Sequence, residues 1–329
     1  MNWSYEEIHN RGMEVIREAD AERCLDLGAE TQSQNRYNRE YMDQLFFEMR
    51  FMGSQWADTS YTLFGKEIPA PIIGSALCPG RLPGSISEYS TPYLLEIASG
   101  ISRAGTIMSV GMSSPPFLQQ IIDQDVDIIK IVKPYRSSRD ESDYIIYTLK
   151  DAEARGALAV GIDIDVFYGE KAWDEDPSLL PFGVQSMKQL ESYRQSIKLP
   201  FIVKGVLSVH DALKSREIGA DAIVVSNHGG EAIDYTIPVL KILPEIREAV
   251  PDMLIMVDSG FRRGTDILKA LALGADCICV LTILLIAYAA YGSDGVCRML
   301  QILSEELKRN MSITGCKDVE NIQSSIIRK

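Results

Sequence analysis

From residue 70 onward, eight short apolar runs alternate with amphipathic stretches, and this alternation restricts what the chain can fold into more than any other feature. The runs are Pro71–Ser75, Thr106–Val110, Ile128–Val132, Leu158–Asp163, Phe201–Lys204, Ala222–Ser226, Leu254–Asp258 and Cys277–Val280. Short runs that are apolar on both faces and separated by helical patterns are expected of parallel strands covered by helices. The segment Val209–Ile218 opens at Ser208, a good N-cap, and closes at Gly219, where a left-handed cap ends a helix. A similar unit runs from Thr265 to Leu273 and stops at Gly274. Eight such units close a (β/α)8 barrel, but a doubly wound open sheet gives a similar alternation, and strand counting leaves both open. Residues 1–69, polar and rich in Glu and Arg, are expected to form a helical extension packed on the part from 70 to 329, in one structural domain.

Composition narrows the function classes. Hydrophobic residues make up 46% of the 329 positions and charged residues 24%, a balance that supports one large core and excludes a disordered or fibrous chain. The net charge of −13, with no basic run, argues against nucleic acid. The start, Met1-Asn-Trp-Ser-Tyr-Glu-Glu, is acidic and unlike a secretory signal, so a cytoplasmic location is expected. The most apolar stretch, Cys277–Tyr291, falls short of the ~20 residues that span a bilayer and reads as a buried strand entering a buried helix, with no membrane partner expected. The six cysteines are scattered, which fits a reducing compartment. Cys277 and Cys279 share one strand face and read as core rather than as metal ligands; no metal site is expected. His9 and His210 read as surface residues of predicted helices.

In a parallel barrel, chemistry sits at the C-terminal ends of the strands. Four polar residues end the runs in an informative way: Asp163, Lys204, His228 and Asp258. A carboxylate beside an imidazole fixes its tautomer and raises its basicity, as a general base requires. The competing reading makes each of them a surface loop residue.

Three segments carry a resemblance: Phe201-Ile-Val-Lys204-Gly205-Val, Val225-Ser226-Asn227-His228-Gly229-Gly230, and Val257-Asp258-Ser259-Gly260-Phe-Arg262-Arg263-Gly264 running on to Gly274. They resemble the FMN-dependent 2-hydroxy acid oxidases and dehydrogenases, the family of glycolate oxidase, lactate oxidase and flavocytochrome b2. The resemblance implies a (β/α)8 barrel binding FMN, with His228 as the base, Asp163 as its orienting carboxylate and Lys204 beside the flavin. It assigns further cofactor contacts to Gly74, Ser75, Ala76, Ser109, Lys130, Ser226, Asp258, Gly260 and Arg262, the last three at the ribityl and phosphate end. It also implies a homo-oligomer, a tetramer in the family, with Tyr288–Tyr291 among the expected contacts.

The departures concentrate at one function. Where the family holds the substrate carboxylate with an Arg three positions after the His, this chain has Glu231, and the two Tyr positions of that clamp fall on Cys24 and Val132. The substrate is therefore expected to lack a carboxylate in that place, unless Lys130, Lys133, Arg136 or Arg81 compensates. Leu281-Thr282 stands where the family clasps the phosphate with Gly-Arg, so the FMN site is partly eroded. The chain between Asp163 and Lys204 is short for the family, leaving Tyr168–Trp173 as a possible lid. The expected function is an FMN-dependent oxidoreductase acting on a CH–OH group of a small molecule that is not a standard 2-hydroxy acid. A flavin-free lyase, isomerase or epimerase using the same residues, and a lapsed binding subunit, are the competing expectations.

Overall fold

The structure, a computed structural model, describes residues 2–26, 28–78, 93–134, 141–165 and 182–329. The chain opens with α1 (Tyr5–Glu18), α2 (Gln34–Asp43), β1 (Phe46–Phe47) and a hairpin of β2 (Tyr61–Leu63) and β3 (Lys66–Ile68). Strands and helices then alternate: β4 (Ile72–Leu77), α3 (Tyr93–Arg103), β5 (Ile107–Val110), α4 (Pro115–Ile122), β6 (Asp127–Val132), α5 (Glu141–Ala154), β7 (Ala159–Asp163) and α6 (Met187–Gln195). The second half continues with β8 (Phe201–Val206), α7 (Val209–Glu217), β9 (Ala222–Val225), α8 (Val239–Ala249), β10 (Leu254–Val257), α9 (Gly264–Ala272), β11 (Cys277–Val280), α10 (Thr282–Ile313) and β12 (Ile327–Arg328).

Strands β4 to β11 pair in chain order, all parallel, and β11 returns to β4 to close the barrel. The open-sheet alternative falls with that last pairing. Each strand feeds two apolar layers. One face, with Ile73, Ile107, Ile129, Ile131, Ile202 and Met256, fills the interior. The other, with Ile72, Met108, Val132, Val160 and Val203, meets the helices. Cys277 and Cys279 lie together in the interior layer as expected, where burial pushes both thiols well above their ordinary pKa.

The extension is only partly helical. Its hairpin sends Leu63 and Ile68 into the interior cluster beside Ile107, Ala159 and Ala222, residues at or near the starts of their strands. It thereby closes the end of the barrel away from the catalytic mouth. Strand β1 pairs with β12, tying the extension to the C-terminus. Helix α10 is, among the described residues, the one long and apolar enough to cross a membrane by length and composition, but most of that stretch is buried. It packs on α1, α3 and α9 and is interrupted at Tyr291–Gly292, where φ turns to −149° and 56°. Tyr288 is buried near Tyr93 and Tyr291 stacks on Trp3, ring centroids 3.8 Å apart. Arg81, Arg136 and the expected lid Tyr168–Trp173 lie outside the described residues.

Leu63 is fully buried, so Leu63→Ala leaves a cavity under the barrel floor. The substitution should lower the unfolding free energy by about 2–5 kcal/mol, read from the midpoint of urea denaturation.

Candidate active site

Asp163 and Lys204 stand at the same level on neighbouring strands β7 and β8, and the chain after β9 brings His228 to them. The Lys204 ammonium lies 3.4 Å from Asp163 Oδ2, 3.1 Å from His228 Nδ1 and 3.9 Å from Asp258 Oδ2. The three residues assigned to catalysis therefore meet. The closest carboxylate on the imidazole is a different one, however: Asp165 Oδ1 is 2.8 Å from His228 Nδ1, whereas Asp163 Oδ2 is 3.8 Å away. Asp163 is occupied by two lysines, Lys204 and Lys133, whose Nζ lies at 3.2 Å. Asp165 was legible as the second member of Asp163-Ile-Asp165, where alternate positions at a strand end share a face. Its room comes from Gly205, held at φ +95° in a bulge of β8, where any Cβ would collide with the Asp165 carboxyl group.

The electrostatics follow from burial. Desolvation alone would raise the Asp163 carboxyl, but Lys204 and Lys133 hold it well below the usual carboxylate range. Both lysines resist the downward pull of burial because Asp163 faces them, and both stay charged. Burial and the charge of Asp163 push Asp165 up. Burial would lower His228, yet Asp165, then Asp163 and Glu231, outweigh it against Lys204 and raise its pKa above 6.5. Glu231 is buried, with Oε2 3.7 Å from His228 Nε2, so the two ring nitrogens face different carboxylates.

The base sits on a constrained turn. His228, Gly229 and Gly230 have φ of 52°, 65° and 85°, three successive left-handed residues of which the first is not glycine. The extension holds this turn in place. Asn38 of α2 and Asn227 exchange amide hydrogen bonds of 3.0 and 2.9 Å, the Gly230 carbonyl accepts from Ala29 N–H at 2.8 Å, and Asp234 accepts from Thr31 N–H at 2.8 Å. A side chain at 230 would strike Gln34, whose amide donates to the Thr236 carbonyl. The Ser226 hydroxyl accepts from His228 N–H at 3.0 Å, so that serine shapes the turn in addition to any contact with a cofactor.

Two expected contacts on β6 point the wrong way. Lys130 and Val132 share the outer face with Ile128; Val132 packs in the helix layer, and Lys130 donates to the Gly111 carbonyl and, at 2.8 Å, to Ser113 Oγ. Burial lowers Lys130 to about 8. The inner face carries Ile129 and Ile131, and the next residue in that phase is Lys133. Gly74 likewise faces outward, where a Cβ would meet Ile101 of α3, while Ser75 and Ala76 turn inward at the bulge of β4. Cys24 lies in the short turn Glu22–Leu25, packed on the main core.

The remaining residues fit FMN. Ser75, Ser109 and Gly161, on β4, β5 and β7, put small residues in the interior phase above the isoleucine layer, and Gly161 lies so close to the backbone of Ile202 that a Cβ would collide with it. Beyond Asp258, which accepts from Ser259 Oγ at 2.9 Å, Gly260 adopts φ +91° and Arg262 is exposed. Leu281 is the N-cap of α10, and the first-turn N–H groups of Thr282 and Ile283 have no intrahelical acceptor.

A family model described as FMN-dependent dehydrogenase matches residues 182–329. A 2-hydroxyacid oxidase of Dictyostelium discoideum is 38% identical over 301 residues, covering 82% of this chain and 76% of its own. A glycolate oxidase of Arabidopsis thaliana is 31% identical over 336 residues, covering 92% and 89%. Among solved structures, mandelate oxidase with (S)-2-phenylpropionate superposes with a TM-score of 0.86 at 25% identity, over 100% of this chain and 98% of that one.

Two outcomes test the site. With three histidines in the chain, the His228 imidazole can be followed by NMR. Asp165→Asn removes the nearest anion and should move its titration midpoint to lower pH, whereas an unchanged midpoint excludes Asp165 as the orienting group. Asn38→Ala should lower kcat by about tenfold to a hundredfold through misplacement of the base, with the visible spectrum of the protein unaltered.

Proposed function

Because this chain belongs to the family of FMN-dependent 2-hydroxy acid oxidases and dehydrogenases, we propose that it oxidises the CH–OH carbon of a small substrate with His228 Nε2 as the base. FMN, the family's cofactor, supplies the two-electron acceptor. The observation that carries the reading is the division of labour around one imidazole. Nδ1–H donates to Asp165 at 2.8 Å, which fixes the ring and its tautomer and leaves Nε2 to take the substrate proton. Asp165 and Asp163 then stabilise the imidazolium that forms, and Lys204 provides the positive charge beside the ring pocket. Family membership removes the flavin-free lyase, isomerase or epimerase and the lapsed binding subunit as readings of first choice.

The substrate differs from a standard 2-hydroxy acid in the group beside the carbinol. A carboxylate seated next to Nε2 would meet Glu231 where the family offers an Arg, and in a poorly solvated cleft that contact is repulsive. We further place the enzyme in the cytoplasm as a homo-oligomer. Six cysteines scattered along the sequence support a reducing compartment, and the exposed side chains of Phe46, Phe51, Met52 and Trp56 support a contact with a second copy.

The purified protein should be yellow, with flavin absorbance that bleaches anaerobically on adding a turned-over donor. His228→Ala should keep the colour and lose about 10²–10⁴-fold in the rate of bleaching; a variant that bleaches at the parent rate would remove His228 from the chemistry.

A further inference from the structure

Lys133 continues the interior phase of β6 beyond Ile129 and Ile131, so the strand itself delivers its ammonium into the mouth of the barrel. The side chain is buried, with Nζ 3.2 Å from Asp163 Oδ2, closer than Lys204 at 3.4 Å. The two cations differ in what else they meet. Lys204 also lies 3.1 Å from the imidazole and 3.9 Å from Asp258, whereas Lys133 pairs, among the described residues, with Asp163. Two carboxylates compete for one ring N–H: Asp165 Oδ1 is 2.8 Å from His228 Nδ1 and Asp163 Oδ2 is 3.8 Å away. The other Asp163 oxygen, Oδ1, is buried with no hydrogen-bond partner among the described residues. Without Lys133 that carboxylate would keep only its contact with Lys204, and a buried carboxylate short of donors moves toward the next one within reach. Here the next one is the imidazole.

We propose that Lys133 is a positioning residue for the base: by holding Asp163 it keeps that carboxylate off the imidazole and leaves the Nδ1–H to Asp165. This rests on the reading of His228 as the base, and it accounts for the departure from the resemblance, which assigns the orienting task to Asp163. The charges that face His228 are Asp163 and Asp165 at the end of β7, Lys204 on β8 and Glu231 on its own turn, with Asp258 after β10 beside Lys204. Lys133 stands behind Asp163 and acts through it. Its removal turns the full charge of Asp163 on the ring, which favours the imidazolium, and on Asp165, which it repels.

The test follows the His228 imidazole of the holoprotein by NMR across pH in the parent, Asp165→Asn, Lys133→Met and the double variant. Asp165→Asn should lower the midpoint by about one pH unit or more in the parent background. Lys133→Met alone should raise it. In the Lys133→Met background Asp163 takes over the ring, so Asp165→Asn should shift the midpoint by less than half as much. Lys133→Arg, which keeps the charge, should retain the parent response. Lys133→Gln carries the same prediction as Lys133→Met and replaces it if the methionine variant does not fold. An Asp165→Asn shift of equal size in both backgrounds, a midpoint lowered by Lys133→Met, or a Lys133→Arg protein that responds like Lys133→Met would overturn the proposal. These midpoints are read without turnover, which keeps the two readings apart. Absent coupling in a protein that still needs His228 for bleaching sinks this inference alone. Intact coupling in a protein whose His228→Ala variant bleaches at the parent rate sinks the reading of the base alone.

Discussion

Two buried ammonium groups, Lys133 and Lys204, converge on one oxygen of Asp163, and the mouth of the barrel is organised around that arrangement. Burying any one of these charges alone costs several kcal/mol, so each is tolerable only with the others in place. Asp163 closes the interior face of β7, Lys204 stands level with it on β8, and Lys133 follows the interior phase of β6. Three adjacent strands are thus held in register by charge as well as by backbone pairing. Asp163 is accordingly held 3.8 Å from the imidazole and is not its closest partner. That position passes to Asp165, on a turn made possible by the bulge at Gly205.

The base depends equally on a segment far away in sequence. Residues 29–38 donate or exchange hydrogen bonds with residues 227–236, and they enclose a turn whose backbone is left-handed at His228 itself. Such a conformation persists where its surroundings over-determine it. The N-terminal extension is therefore part of the catalytic apparatus at one end, through α2, and part of the barrel floor at the other, through the hairpin β2–β3.

Strand ends and cap residues are local signals and disclosed the eight strands, whereas the barrel and the meeting of Asp163, Lys204 and His228 were legible through the resemblance carried by the segments around Lys204, His228 and Asp258. It did not disclose the facing of β6. In Ile128-Ile-Lys-Ile-Val132 both faces are apolar, so no alternation reveals which residues point inward, and a choice of phase wrong by one position moves every side chain to the other layer. The resemblance put contacts at Lys130 and Val132, whereas Ile129, Ile131 and Lys133 hold the inner phase, and at Gly74, which faces Ile101 of α3 by the plain alternation of its strand. The helical reading of residues 1–69 failed at the hairpin because strands of three residues carry too little pattern to register.

Correcting that phase alters the meaning of the lost carboxylate clamp. Val132, one of the positions matched to that clamp, lies in the helix layer, so the altered recognition rests chiefly on Glu231. One buried carboxylate suffices, because it lies against the nitrogen that must receive the proton. Glu231 also adds, after Asp165 and Asp163, to the field that raises the basicity of His228, so a change at position 231 alters the base as well. Recovering an arginine there would attract a carboxylate and, by the same charge, make the imidazole a weaker base.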